Sequence, residues 1–226
     1  MNQAWGTELP GATTTKDIVV LVHGLWMYGW VMRFMGVRLR RCGFHPVVFS
    51  YPSMRSSLSQ NALLLSHFVA GMTASRIHFI GHSLGGLLVL QMLAEFPEQR
   101  TGRIILVGSP YNGSNAAAKL LRMGLGQYIL GRSMLQWLEQ KAPEHHAQYE
   151  LGVIAGRKSI GCGRLISRLP PPNDGVVTVG ETEIPNISDQ VVLNVSHSGM
   201  LLSAELAFQA CSFLRSGHFL HDPESA

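Results

Sequence analysis

One serine in this chain lies in a pattern that is typical of a catalytic nucleophile. Residues 81–86 read Gly-His-Ser-Leu-Gly-Gly; they follow the short run Ile77–Ile80 and precede a longer apolar stretch. This context predicts strand, sharp turn and helix, the arrangement of a nucleophile elbow that lifts a serine hydroxyl above a sheet. Glycine is expected at Gly81 and Gly85 because side chains there would collide across the turn. We therefore predict that Ser83 is a nucleophile; the alternative is a glycine-rich turn that only packs a helix on a strand.

A serine hydroxyl needs a general base, and His197 is the best-placed histidine. It follows the predicted strand Val191–Val195 at its carboxyl end, where functional groups gather in an open parallel sheet. The small residues around it allow an imidazole to reach over the sheet edge. The other histidines are interpreted as parts of other motifs or as structural or surface residues, namely His23, His45, His67, His78, His82, His145, His146, His218 and His221.

The base needs an orienting acid, and Asp174 is the candidate. Asp17 precedes a strand and is expected at the opposite edge of the sheet, and Asp222 lies in the tail. Asp189 precedes the strand that leads to His197, and five or six strand residues at ~3.3 Å each put it some 15–20 Å from the imidazole. The chain order serine, aspartate, histidine also suits this type of site. Two alternatives stay open: Asp174 is only a turn residue in Asn-Asp-Gly, or the acid is Glu181 or Glu183.

An oxyanion formed at Ser83 needs two backbone N–H donors. We predict that Leu84 supplies one, since it follows the nucleophile directly. Leu25 is predicted to supply the other, because the loop after the first strand contains Gly24, which permits close backbone approach. Trp26 and Met27 come next and are predicted to wall the substrate pocket, with core packing as the alternative.

Strands and helices alternate along the chain, which predicts a parallel, doubly wound α/β sheet with right-handed crossovers. Short β-branched runs indicate strands that are buried on both faces. The strands are predicted at residues 18–22, 47–51, 77–80, 104–107, 151–155 and 190–195, and the main helices at residues 30–41, 58–70, 84–95 and 201–213.

A stretch of about residues 114–148 interrupts this alternation and is rich in Leu, Met and Gly. It is predicted to form one or two helices packed on the sheet edge. The alternative is a small cap that lines an acyl pocket and moves about its glycines. Trp137 lies in this insertion and is assigned, with Trp26 and Met27, to the substrate pocket.

Length and composition favour one α/β domain over residues 1–226 with a large core, since 46% of the residues are hydrophobic. The net charge is +4 and the basic residues are scattered, so no nucleic-acid partner is expected.

No run approaches the ~18 apolar residues that span a bilayer. The three cysteines, Cys42, Cys162 and Cys211, are too few and too irregular for a disulfide framework or a zinc site, which fits a reducing compartment. With no signal-peptide pattern after Met1, a cytoplasmic location is expected.

Five segments together resemble the α/β-hydrolase superfamily, specifically compact bacterial lipase-like esterases. They are Val-His-Gly-Leu at residues 22–25, the elbow at 81–86, Gly-Ser-Pro-Tyr-Asn-Gly-Ser at 108–114, Asn-Asp-Gly-Val-Val at 173–177 and Ser-His-Ser-Gly at 196–199.

The resemblance covers about residues 17–214. It implies hydrolysis of carboxylic esters through an acyl-enzyme, with no metal or cofactor and with a small-molecule ester as substrate. Two features depart from the family pattern. No strand is predicted before Ile18, so the sheet is expected to be trimmed. The oxyanion loop has a single glycine, which disfavours esters of bulky tertiary alcohols. The short insertion favours short-to-medium acyl chains over emulsified fat.

Other functions use the same residues. An acyltransferase would pass the acyl group to an alcohol or amine at a hydrophobic acceptor site, and a thioesterase or amidase would cleave a different bond. A binding module without catalysis is disfavoured because all three triad candidates are present.

Overall fold

The computed structural model describes residues 17–140, 148–161 and 169–221. In these residues six strands form one sheet in the order β2-β1-β3-β4-β5-β6, and every neighbouring pair is parallel. The predicted α/β class with a doubly wound parallel sheet is therefore confirmed. The strands are β1 (Ile18–Val22), β2 (His45–Phe49), β3 (Ile77–His82), β4 (Thr101–Val107), β5 (Leu151–Gly156) and β6 (Asp189–Leu193). The prediction that no strand precedes β1 falls outside the described residues.

Helices cover both faces of the sheet. They are α1 (Arg33–Arg41), α2 (Leu58–Ala70), α3 (Leu84–Glu95), α4 (Asn115–Arg122), α5 (Gly126–Ile129), α6 (Gly131–Glu139), α7 (Val179–Thr182) and α8 (Ala204–Ser216). The two predicted helices at 30–41 and 201–213 both open as 3-10 turns, Gly29–Met32 and Gly199–Leu202. Among the described helices, none has the length and apolarity needed to cross a bilayer.

The alternation of side chains along β1 shows how the core is divided. Val20 and Val22 pack in one apolar cluster with α2 and α3, while Val19 and Leu21 pack in a second cluster with α1 and α8. Both faces of the strand are thus buried, as expected of a central parallel strand. The sheet is the middle layer of three, and its rigidity positions every loop that leaves its carboxyl edge.

The predicted insertion forms α4, α5 and α6 within residues 114–140, and residues 141–147 lie outside the described part of the chain. Helix α6 is joined to α2 by buried polar contacts: the Asn61 side-chain amide donates to Ser133 Oγ at 2.9 Å, and that hydroxyl donates to the Ser56 carbonyl at 2.8 Å. Gly131 starts α6 with a φ of +65° close against Met54, a conformation that favours glycine. These contacts hold the insertion against the body of the fold.

Two cysteines pair, contrary to the expectation from their number and spacing. Cys42 and Cys211 form a disulfide across a sequence separation of 169 residues. The expectation was wrong because α1 and α8 pack on the same face of the sheet, which brings the two Cα atoms to 6.3 Å. Disulfides persist in oxidising compartments, so this pair withdraws the support that the cysteine count gave to a cytoplasmic location. Cys162 lies outside the described residues.

Candidate active site

Ser83 lies at the apex of a sharp turn between β3 and α3. Its φ of 53° and ψ of −124° are sparsely populated for a residue with a side chain, at a cost of about 1–3 kcal/mol. Its N–H donates to the Val107 carbonyl of the neighbouring strand at 2.8 Å, which holds the turn in place. A functional nucleophile elbow has this form, in which the backbone is forced to present the serine hydroxyl.

The glycines on either side of Ser83 are required by close backbone packing. A Cβ atom on Gly81 would collide with the backbone of Gly86, and one on Gly85 would collide with the carbonyl oxygens of Val22 and His23. The Gly-x-Ser-x-Gly pattern is therefore explained by sterics across the turn and against β1.

His197 lies beyond the carboxyl end of β6 and is hydrogen-bonded to Asp174. Its Nδ1 is 2.7 Å from Asp174 Oδ2, and its backbone N–H donates to the Asp174 carbonyl at 2.9 Å. Both residues are buried. An Nδ1–H that donates to the carboxylate leaves the lone pair on Nε2, which is the tautomer that a general base needs.

The turn around Asp174 accounts for its orientation. Oδ1 accepts hydrogen bonds from the N–H groups of Val176 at 2.9 Å and Val177 at 2.7 Å, so Oδ2 is left to face His197. Gly175 has a φ of +95°, and its N–H donates to Asn173 Oδ1. Asn-Asp-Gly is therefore a turn, and this turn places the Asp174 carboxylate against His197; the role of Asp174 as the orienting acid stays a prediction.

The other carboxylates considered from the sequence have contacts elsewhere. Asp17 is 3.4 Å from His78 Nε2, and Asp189 bonds His221 and the N–H of Phe219. Glu181 accepts from the N–H of Thr178 in a capping box at α7, Glu183 is exposed, and Asp222 lies outside the described residues.

A cavity of about 160 Å³ brings Ser83 and His197 together with both predicted oxyanion donors, Leu25 and Leu84. Leu84 is the first residue of α3, and the first N–H groups of a helix have no partner within it. The other residues that line the cavity are mostly apolar, namely Trp26, Met27, Pro110, Ser114, Ala116, Ala117, Leu120, Leu130, Met134, Val176, Val177 and Ser198.

The structure places Trp137 away from this cavity. It is buried in the core near the ring of Tyr111, with ring centroids 6.1 Å apart. Leu120, Leu130 and Met134 provide the wall of the insertion instead. Their apolar periodicity predicted helices, but only the docking of those helices shows which positions reach the site.

His23 holds the loop after β1 through hydrogen bonds of both ring nitrogens. Nε2 accepts from the N–H of Tyr51 at 3.2 Å, and Nδ1 donates to the Gly24 carbonyl at 2.9 Å. The ring stacks on Tyr51 with centroids 4.4 Å apart. Burial lowers the pKa of His23 and raises the pKa of Tyr51, so both side chains are neutral and the loop carries no buried charge.

His82 is hydrogen-bonded to the loop that carries His197. Its Nε2 donates to the carbonyl oxygen of His197 at 3.0 Å, and the two rings lie 4.8 Å apart. Burial, assisted by the nearby His197, lowers the pKa of His82 to about 3. Sequence reasoning assigned His82 only to the elbow pattern, because its bond to residue 197 depends on the docking of two distant loops.

Metal-ligand geometry is not seen at this site. In residues 17–140, 148–161 and 169–221, no three His, Cys, Asp or Glu side chains come together as ligands of an ion would.

The chain belongs to the alpha/beta hydrolase family, whose profile matches residues 19–224. The resemblance seen in the five sequence segments is therefore confirmed at the level of the family. No sequence among curated proteins matches the chain significantly.

Several solved structures share the fold. A lipase of Bacillus licheniformis, BlEst2 in its mature form, is 17% identical with a TM-score of 0.68, over 91% of this chain and 93% of that one. A metagenomic carboxyl esterase, MGS0156, is 22% identical with a TM-score of 0.63, over 85% and 68%. An esterase of Exiguobacterium antarcticum, EaEST, is 13% identical with a TM-score of 0.64, over 90% and 93%. At these identities the likeness concerns the fold.

Proposed function

We propose that this protein is a serine carboxylesterase that hydrolyses esters of short-to-medium acyl chains through an acyl-enzyme. One observation carries the proposal: a strained elbow serine and an aspartate-bound histidine line the same apolar cavity. The family assignment supports hydrolysis, and the structural neighbours described as lipases and esterases support the ester bond as its target.

In the proposed mechanism, Ser83 Oγ attacks the ester carbonyl carbon while His197 Nε2 takes its proton. The N–H groups of Leu25 and Leu84 stabilise the negative charge on the carbonyl oxygen. Asp174 keeps the imidazole in its tautomer and stabilises the imidazolium. His197 then protonates the departing alkoxide, which leaves as the alcohol and yields the acyl-enzyme. A water molecule, deprotonated by His197, attacks that ester, and the carboxylic acid leaves as Ser83 recovers its proton.

The size of the cavity supports a short acyl group. A cavity of about 150 Å³ with apolar walls holds a molecule the size of benzene, and the cavity at Ser83 measures about 160 Å³. An acyl chain of about six carbons therefore fills it. Apolar walls from Leu120, Leu130 and Met134 favour an alkyl chain over a charged acyl group.

Hydrolysis of p-nitrophenyl esters from acetate to palmitate tests the proposal. We expect the highest kcat/KM between butyrate and octanoate, and a loss of about 10⁴-fold or more in Ser83→Ala. Covalent labelling of Ser83 by a fluorophosphonate, absent in Ser83→Ala, provides a second readout. Serine-dependent transfer to an added short alcohol, in preference to water, would replace the esterase by an acyltransferase. Hydrolysis that survives in Ser83→Ala would overturn the proposal.

A further inference from the structure

Two residues of the loop after β1 are shared by the linings of the cavity at Ser83 and of a second open space. Trp26 and Met27 line the 160 Å³ cavity, and they also line a groove of about 360 Å³. The rest of the groove is formed by Tyr28 and by the loop after β2, residues 51–55. The two spaces therefore adjoin at Trp26 and Met27, which we call the partition.

Trp26 is held in this partition by an unusual backbone and by a long-range hydrogen bond. Its φ of 59° lies in the left-handed region that favours glycine. Its indole Nε1–H donates to the carbonyl of Ile129 in the insertion at 2.9 Å, although 52% of the residue is exposed. Ile129 precedes Leu130, which also lines the cavity. A strained, half-exposed aromatic residue that is bonded to a distant element points to a functional constraint at that position.

We propose that Trp26 is the specificity-determining residue that limits the length of the acyl chain. This inference rests on the proposed esterase function, because it takes the cavity at Ser83 as the acyl site. The indole closes that cavity toward the groove, and its bond to Ile129 fixes the ring against the insertion. Met27 shares the partition, but its unbranched and flexible side chain adapts its shape more readily than an indole does.

Removal of the indole is expected to join the two spaces. A glycine at position 26 adopts a φ of 59° without strain, so Trp26→Gly keeps the turn that carries Leu25 while it opens the wall. Phenylalanine keeps most of the wall but lacks the N–H that bonds Ile129. The two variants therefore separate the partition from the hydrogen bond. Trp30 is the matched control, since it is 62% exposed and lines neither space.

The test compares kcat/KM for p-nitrophenyl butyrate and decanoate. We expect Trp26→Gly to raise the ratio of decanoate to butyrate at least tenfold. Trp26→Phe is expected to change it less than threefold, and Trp30→Ala to leave it unchanged. A wild-type ratio in Trp26→Gly, with serine-dependent hydrolysis intact, would overturn the partition and leave the esterase proposal standing.

A binding measurement keeps the partition testable without turnover. Hexanoate and decanoate are titrated by calorimetry into Ser83→Ala, with and without Trp26→Gly. We expect the glycine to strengthen decanoate binding at least tenfold and to change hexanoate binding little. If the glycine gives this gain but the wild-type protein hydrolyses no ester, the esterase proposal is overturned and the partition is retained. Decanoate binding that is unchanged or absent in the double variant would overturn the partition.

Discussion

His197 and Asp174 are joined by two hydrogen bonds, one between side chains and one between backbones. Nδ1 of His197 lies 2.7 Å from Oδ2 of Asp174, and the N–H of His197 donates to the Asp174 carbonyl at 2.9 Å. The second bond ties the loop after β6 to the turn that carries the carboxylate. The backbone bond therefore fixes the position of the imidazole relative to the carboxylate. The effect of replacing Asp174 by asparagine follows from this geometry.

We expect Asp174→Asn to lower kcat by roughly 10³–10⁴-fold with little change in KM. The N–H groups of Val176 and Val177 both point at Oδ1, so the amide oxygen of an asparagine takes that place and its NH₂ faces His197. Nδ1 must then accept a hydrogen bond, which moves the proton to Nε2 and removes the base. Steady-state kinetics on p-nitrophenyl butyrate measure the effect.

The control for this prediction is Asp189→Asn, because Asp189 bonds His221 and the N–H of Phe219 instead of the site. It is expected to keep kcat within about threefold of the wild type, as befits a residue outside the site. Equal activity in Asp174→Asn and the wild type would rule out the orienting role of Asp174.

Acid should destabilise the protein through His82. The pKa of its imidazole is about 3 in the folded protein and near 6.5 when unfolded. Below pH 6.5 the unfolded state therefore binds a proton that the folded state does not, and stability falls as the pH drops from 6.5 toward 3. In His82→Gln the slope of the free energy of unfolding against pH should decrease by about 1.4 kcal/mol per pH unit between pH 5.5 and 4.

Urea unfolding at several pH values measures that slope. His221→Gln is the control, since His221 is a half-exposed surface residue whose partner is Asp189. A slope in His82→Gln that matches the wild type would mean that residue 82 does not remain neutral in the folded protein.

Alanine at Gly85 should unfold the elbow, whereas alanine at Gly180 should be tolerated. A Cβ at residue 85 would collide with the carbonyls of Val22 and His23, so we expect Gly85→Ala to lower the free energy of unfolding by about 3 kcal/mol or more and to abolish ester hydrolysis. A Cβ at Gly180, within α7, meets nothing within 4 Å, so we expect Gly180→Ala to raise the free energy of unfolding by up to about 1 kcal/mol. Urea denaturation of both variants distinguishes the steric effect from a general intolerance of glycine substitution.

Reduction of the disulfide should lower the free energy of unfolding by about 3–5 kcal/mol, because the Cys42–Cys211 bond closes a long loop in the unfolded chain. Urea denaturation with and without a reductant measures this, and Cys42→Ser should reproduce the reduced curve. The reductant effect is expected to persist in Cys162→Ser. A Cys42→Ser variant as stable as the oxidised wild type would show that the bond does not stabilise the fold.

Local rules were sufficient for the elbow and for the order of the elements. Three short-range features were sufficient: the glycines at 81 and 85, the apolar run of β3, and the alternation of strand segments with helix segments along the chain. From them the sequence predicted the parallel sheet and the turn at Ser83. The strand ends differ by a few residues, as at β6, which ends at Leu193 instead of Val195. Boundaries depend on hydrogen bonds to neighbouring strands, which a single segment does not encode.

The sequence by itself determined which residue types stand at the ends of the strands, because backbone sterics and apolar periodicity act over a few residues. Only the tertiary structure decided which side chains meet across the fold. It placed Trp137 in the core, put Leu130 and Met134 in the cavity wall, paired Cys42 with Cys211, and brought Trp26 into the linings of two spaces. These contacts join residues far apart in the chain, and their geometry follows from how helices dock on the sheet.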